Sequence, residues 1–149
     1  MICVRQIKNH TQAIKQSVLL VENIRMLIEY NNLSLKEIFE NISKKDTYNL
    51  LEFLNTINYG IDDYNNTLDS VFSEKSFIAY LDKEDCENFK GFLSMLGKSD
   101  TDGQILNCNL YKNLFEKKYL QLENDEISRC KSTITLTMCF GMLFLIVAI

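Results

Sequence analysis

Proline and tryptophan are absent from this chain of 149 residues, and glycine occurs only five times. Turn-rich β folds lean on proline and glycine, so their scarcity beside abundant Leu, Ile, Lys, Glu and Asn points to helices. No run of the sequence alternates in polarity over the length of a strand. Histidine occurs once, as His10, on an apolar-striped helix within a turn of Ile14, where a surface or partly packed residue is the expectation. The five cysteines (Cys3, Cys86, Cys108, Cys130, Cys139) are odd in number and widely scattered. They have neither zinc spacing nor a disulfide framework, which suits a reducing compartment and small apolar fillers. With no cluster of ligands and no phosphate-binding glycine loop, neither a metal nor a cofactor is expected. A positive balance is missing as well: the net charge of −4 argues against a nucleic-acid binder, which needs a basic face. Paired carboxylates occur at Asp62-Asp63, at Glu84-Asp85 and at Asp100 with Asp102, but in acidic helical proteins these are solvated faces or caps. The expectation is a protein that is not an enzyme.

What is present is unevenly spread. Residues 1–28 carry Arg5, Lys8, Lys15 and Arg25 against Glu22 alone, whereas residues 62–102 hold ten acidic and four basic side chains. An acidic stretch between basic ends suits partner docking better than acid–base chemistry. The last eighteen residues, Ser132 to Ile149, hold no charge, and thirteen of the final sixteen are apolar. As a helix they would be about 27 Å long, near the roughly 30 Å of a bilayer core. They read as a C-terminal transmembrane helix (132–149), with Ile134, Phe140, Gly141, Phe144 and Ile149 among its anchoring residues. Arg129 and Lys131 immediately before it would hold the preceding domain (1–131) in the cytoplasm. Met1 to Val4 is far too short to serve as the apolar part of a signal peptide.

Within 1–131 the patterning predicts an all-α fold, a compact bundle of about six helices with the last continuing into the membrane helix. Ile7, Ile14, Val21 and Ile28 recur every seven residues and predict a first helix over 5–30, packed along another long helix. Ser34 with Glu37 forms a capping box, opening a second helix that ends near Ile42. A third is expected from Asp46 as N-cap to Gly60, burying Leu50, Leu51, Phe53, Leu54 and Ile57. A fourth spans Asp62 to Glu74, with Tyr64, Leu68, Val71 and Phe72 inward. Asp82 caps a fifth that buries Cys86, Phe89, Phe92, Leu93 and Leu96, and Gly97 stops it in the left-handed conformation. Asp102 is the expected cap of the last helix, whose apolar stripe is Ile105, Cys108, Phe115, Tyr119 and Leu122. The stretch from Glu123 to Lys131 is polar all round, like a stalk.

The residues Leu96-Gly97-Lys98-Ser99-Asp100-Thr101-Asp102-Gly103-Gln104 have the form LG-x-x-D-x-x-x-Q between two helices. This segment resembles the matching part of stage III sporulation protein AB, a family of membrane proteins in endospore-forming bacteria. Ile28-Glu29-Tyr30 followed by Leu35, Thr67 to Phe72, and Lys131-Ser132 with Gly141 fall in the same order as that family's motifs. Phe72 stands where the family usually has Trp. The family also begins with a transmembrane helix, of which Met1 to Val4 would be a remnant, so the start is either truncated or this member has one anchor. The resemblance implies a non-enzymatic inner-membrane platform component of a secretion-like channel between mother cell and forespore. Its domain would be similar to the cytoplasmic domains of type II secretion and pilus platform proteins. The implied partners are a secretion-type cytoplasmic ATPase, other membrane proteins of the channel and the lipid bilayer, with self-association also open. The implied location is the mother-cell membrane facing the forespore. Asp62, Asp63 and Asp69 of the acidic middle, with Asp100 and Gln104 of the motif, are the candidate partner-binding residues. A tail-anchored helical adaptor or regulator unrelated to secretion is the competing reading.

Overall fold

The heptad of apolar residues near the start of the chain produces a single long helix, α1 (Ile2–Asn31), with Ile14 and Val21 fully buried and Ile28 nearly so. The computed structural model describes residues 2–31, 33–56, 64–73 and 79–147. Among these, four further α-helices follow: α2 (Leu35–Ser43), α3 (Tyr64–Ser73), α4 (Lys83–Met95) and α5 (Thr101–Val147). Two short 3-10 helices, Asp46–Tyr48 and Glu52–Asn55, lie between α2 and α3.

The partner that the heptads of α1 require is α5. Thr11 donates to Glu126 at 2.7 Å, and Glu22 meets Lys112 at 3.1 Å, so the two helices run antiparallel. Cys108 and Phe115 of the expected α5 stripe are buried, with Ile105, Tyr119 and Leu122 packed at the margin of the core. Because Glu126 is tied to Thr11, α5 stays docked on α1 past Glu123, where a free stalk was expected.

Against this pair the shorter elements contribute rings. Phe53 lies 5.0 Å from both Phe72 and Phe89, and Phe89 lies 4.6 Å from Phe115. One aromatic chain thus links the second 3-10 helix, α3, α4 and α5. Such pairs add about 0.5–1.5 kcal/mol each beyond their area burial. Cys86 and Cys108 sit in this core as apolar fillers, and burial raises their thiols to about 11 and about 12.

Two helix starts follow from local chemistry. Ser34 caps α2, accepting from the Glu37 N–H (3.4 Å) while its own N–H donates to the Glu37 carboxylate (2.9 Å). Asp82 caps α4 in the same reciprocal way with Asp85. Each arrangement satisfies two N–H groups that a helix leaves without internal partners.

Several expectations are corrected. Among the described residues the third α-helix is not found: residues 46–55 hold the two 3-10 turns instead, with Lys45 rather than Asp46 at the N-cap position of the first. The reason is tertiary. The Leu50 N–H donates to Gln16 Oε1 (3.0 Å) and Gln16 Nε2 donates to Asn49 (2.8 Å), so α1 takes over backbone and side-chain bonds here. Tyr48, Leu51, Phe53 and Leu54 are buried all the same, while Ile57 and Gly60 lie outside the described residues. Among the described residues the bundle therefore has five α-helices where about six were expected.

The second correction concerns the tail. Among the described residues no helix is long and apolar enough to cross a membrane. The expected transmembrane helix rested on a run at the short end of the roughly 17–25 residues a span requires. Its entrance holds Ser132, Thr133, Thr135 and Thr137. The backbone of Ile134, Phe140, Gly141 and Phe144 belongs to α5, which does not meet the requirements of a span, and Ile149 lies outside the described residues.

Candidate functional site

The capping box of α4 is also the centre of the most highly charged cluster among the described residues. Asp85 is 1% exposed, a depth at which a carboxylate requires partners on every side. Its Oδ2 accepts from the Asp82 N–H (3.0 Å) and lies 2.6 Å from His10 Nε2 on α1. Its Oδ1 is 3.8 Å from the ammonium of Lys118 on α5. Lys118 also bonds Asp82 at 3.0 Å and Glu84 at 2.8 Å. Three helices far apart in sequence thus meet on one carboxylate.

The electrostatics follow from these contacts. Burial disfavours the Lys118 charge, but hydrogen bonds to Glu84 and Asp82 outweigh it and raise the amine above the usual lysine range. Burial likewise pushes Asp82 up, yet the Asp85 N–H and Lys118 prevail and hold its carboxyl below the ordinary value. His10, Asp82 and Asp85 bring three potential metal-ligand atoms within 4.8 Å of one another. The Lys118 ammonium, however, already supplies a positive charge to both carboxylates, and His10 Nε2 is in direct hydrogen-bond contact with Asp85 Oδ2. The donor set fits an internal ion network better than a cation site. Beside it opens a solvent-connected hollow of about 470 Å³, lined by Gln6, Ile7, His10, Tyr80, Leu81 and Asp82 among others.

The residues proposed from sequence fall elsewhere. Asp69, on α3, forms an ion pair of 2.5 Å with Lys90 of α4 and leaves most of its side chain in solvent. Asp62 and Asp63 lie outside the described residues. Asp100 and Gln104 are brought together, but by the turn between α4 and α5. Asp100, not Asp102, caps α5, accepting from the Gly103 N–H at 3.0 Å. Gln104 closes the turn from the other side: its Oε1 accepts from the Gly97 N–H (3.2 Å) and its Nε2 donates to the Ser99 carbonyl (3.1 Å). The LG-x-x-D-x-x-x-Q pattern is therefore a self-stitched interhelical turn.

His10 is partly packed, one of the two expectations for it, but sequence reasoning missed its contact with Asp85 and the role of Lys118. The one local signal was Asp85 three residues after Asp82, the spacing of a capping box; that spacing does not encode burial, since Glu37 at the same position of α2 is exposed. Asn107 was missed too. It is buried, its Nδ2 reaches the Phe92 carbonyl at 3.5 Å, and its Oδ1 has no hydrogen-bond partner among the described residues.

No curated protein and no solved structure matches this chain. One family does, and over the full length: the model of stage III sporulation protein AB matches residues 1–149. The order of the motifs, the antiparallel α1–α5 pair and the stitched turn are thus features of a chain that belongs to the stage III sporulation protein AB family.

Proposed function

We propose that this sporulation protein is a non-enzymatic component of a secretion-like channel between mother cell and forespore, where it docks a cytoplasmic ATPase. The observation that carries the reading is the family match over residues 1–149, which identifies a sporulation protein. The charge layout supports the docking role. Asp69, Glu84 and Glu87 keep about two-thirds or more of their side chains in solvent, at 65%, 72% and 69%. Lys90, Lys118 and Lys83 offset them in part, so the acidic face is narrower than the count over residues 62–102 suggests. A basic partner surface would gain association rate and specificity from such a face more than raw affinity.

The test has two arms. Reversing Asp62, Asp63 and Asp69 to Lys is expected to weaken capture of the co-produced ATPase several-fold, with helicity by circular dichroism unchanged. Capture equal to the parent chain's would remove the acidic docking surface from the reading. In cells, deletion is expected to arrest spore development after engulfment while vegetative growth continues. Normal spores from a clean deletion strain would overturn the channel assignment.

A further inference from the structure

With Cys108 and Phe115 turned into the core, the opposite side of α5 is left with leucines. Leu106, Leu110 and Leu114 are 71%, 55% and 41% exposed. Spaced four residues apart, they form one ridge about 12 Å long on the helix surface. Exposed leucines are ordinary when scattered, but three in line on one helix face form the beginnings of a contact surface. The ridge is framed by opposite charges: exposed Asp102 eight residues before Leu110 and exposed Lys117 seven residues after it.

We propose that this ridge is where two copies of the chain pair, antiparallel and with Leu110 at the two-fold axis. In that arrangement Leu110 meets its own equivalent and Leu106 meets Leu114 of the second copy. Lys117 falls level with Gly103 of the second copy, within one residue of Asp102, and symmetry supplies the same pair at the other end. A parallel pairing in register would set Lys117 against Lys117 and Asp102 against Asp102, which like-charge repulsion disfavours. The charge order therefore selects both the partner, a second copy, and its direction. Two-fold pairing needs this self-complementarity, with the same patch serving both sides. Three leucines a side fall short of the roughly 800 Å² per partner of a standard interface, so the association is weak and concentration-dependent. It does not depend on the docking of an ATPase.

The experiment uses two differently tagged full-length copies, with co-capture and sedimentation velocity as readouts. Leu110→Glu, an exposed change, is expected to reduce co-capture about tenfold with helicity retained, since it buries two carboxylates against each other. Lys117→Asp puts acid at both ends of the ridge and Asp102→Lys puts base at both ends. Each variant alone is expected to self-associate about three- to tenfold more weakly than the parent. Mixed together, the two variants recreate both opposite-charge pairs, and co-capture across the mixture should exceed that within either one. Co-capture insensitive to Leu110→Glu would place any association elsewhere and overturn the proposal. A mixture no better than its single components would overturn the antiparallel register, and a chain monomeric up to about 1 mM would overturn the pairing altogether.

Discussion

At the scale of single residues, Asp85 shows how much one buried carboxylate can organise. It completes a helix cap, receives His10 from α1 and lies close to Lys118 of α5. Removing one partner of a fully buried ion pair costs about 3–5 kcal/mol, and here His10 and Lys118 would be left partly exposed. Lys118 retains Asp82 and Glu84, so Asp85→Ala is expected near the lower figure, about 3 kcal/mol. Glu84→Ala removes an ion pair from a side chain that is 72% exposed and should cost less than about 1 kcal/mol. Denaturant midpoints of the two variants decide the matter: equal losses would mean that the Asp85 network acts as a surface feature.

Among the elements, the α4–α5 turn concentrates the local constraints. Leu96 leaves α4 with extended geometry and Gly97 adopts φ +74°, the left-handed region that glycine enters without steric cost. A Cβ on Gly97 would also stand 2.6 Å from Leu35 Cδ1, so this glycine is where the turn packs onto α2. Gly97→Val meets both obstacles. The expected loss is about 2 kcal/mol, or roughly 4–8 °C in Tm for a domain of this size. Gly97→Ala should lose about half as much. An unchanged Tm for the valine variant would show that the turn re-forms around the side chain.

Across the whole molecule, stability rests on the pairing of α1 with α5, and one carboxylate links that pairing to pH. Glu22 bonds Arg25 on its own helix and Lys112 on α5. The Arg25 hydrogen bond, helped by Lys112 and opposed by burial, lowers the Glu22 carboxyl from 4.5 to about 2. A carboxyl depressed by folding contributes stability in full above its unfolded value and loses it as the pH falls through the folded one. The loss should therefore run from about pH 4.5 down to about pH 2. Because the side chain is 28% exposed and screened by solvent, the contribution is about 1 kcal/mol. Glu22→Gln is expected to lower stability at pH 7 and to flatten the acid limb of its pH dependence. Parallel pH profiles for parent and variant would show that Glu22 gains nothing from α5.

What could be read directly from the sequence was what neighbouring residues decide among themselves. The heptads of α1, the Ser34–Glu37 box, the Asp82 cap and the glycine stop at Gly97 each depend on groups within a few residues, and all are found. The family resemblance was equally legible, because motif order and spacing survive in linear form. Tertiary structure decided the rest. Residues 46–55 have the apolar content of a helix, yet Gln16, more than thirty positions away, takes the Leu50 N–H and two 3-10 turns result. His10 and Asp85 are separated by 75 positions and Thr11 and Glu126 by 115, and no local pattern encodes either pair. The acidic count over residues 62–102 likewise overstated the free charge, since Lys90 and Lys118 reach Asp69 and Asp82 from other helices. Local signals specify where helices begin and end because capping and backbone strain act over one turn. Which charges remain free depends on helices brought together from opposite ends of the chain, and that is a property of the packed fold.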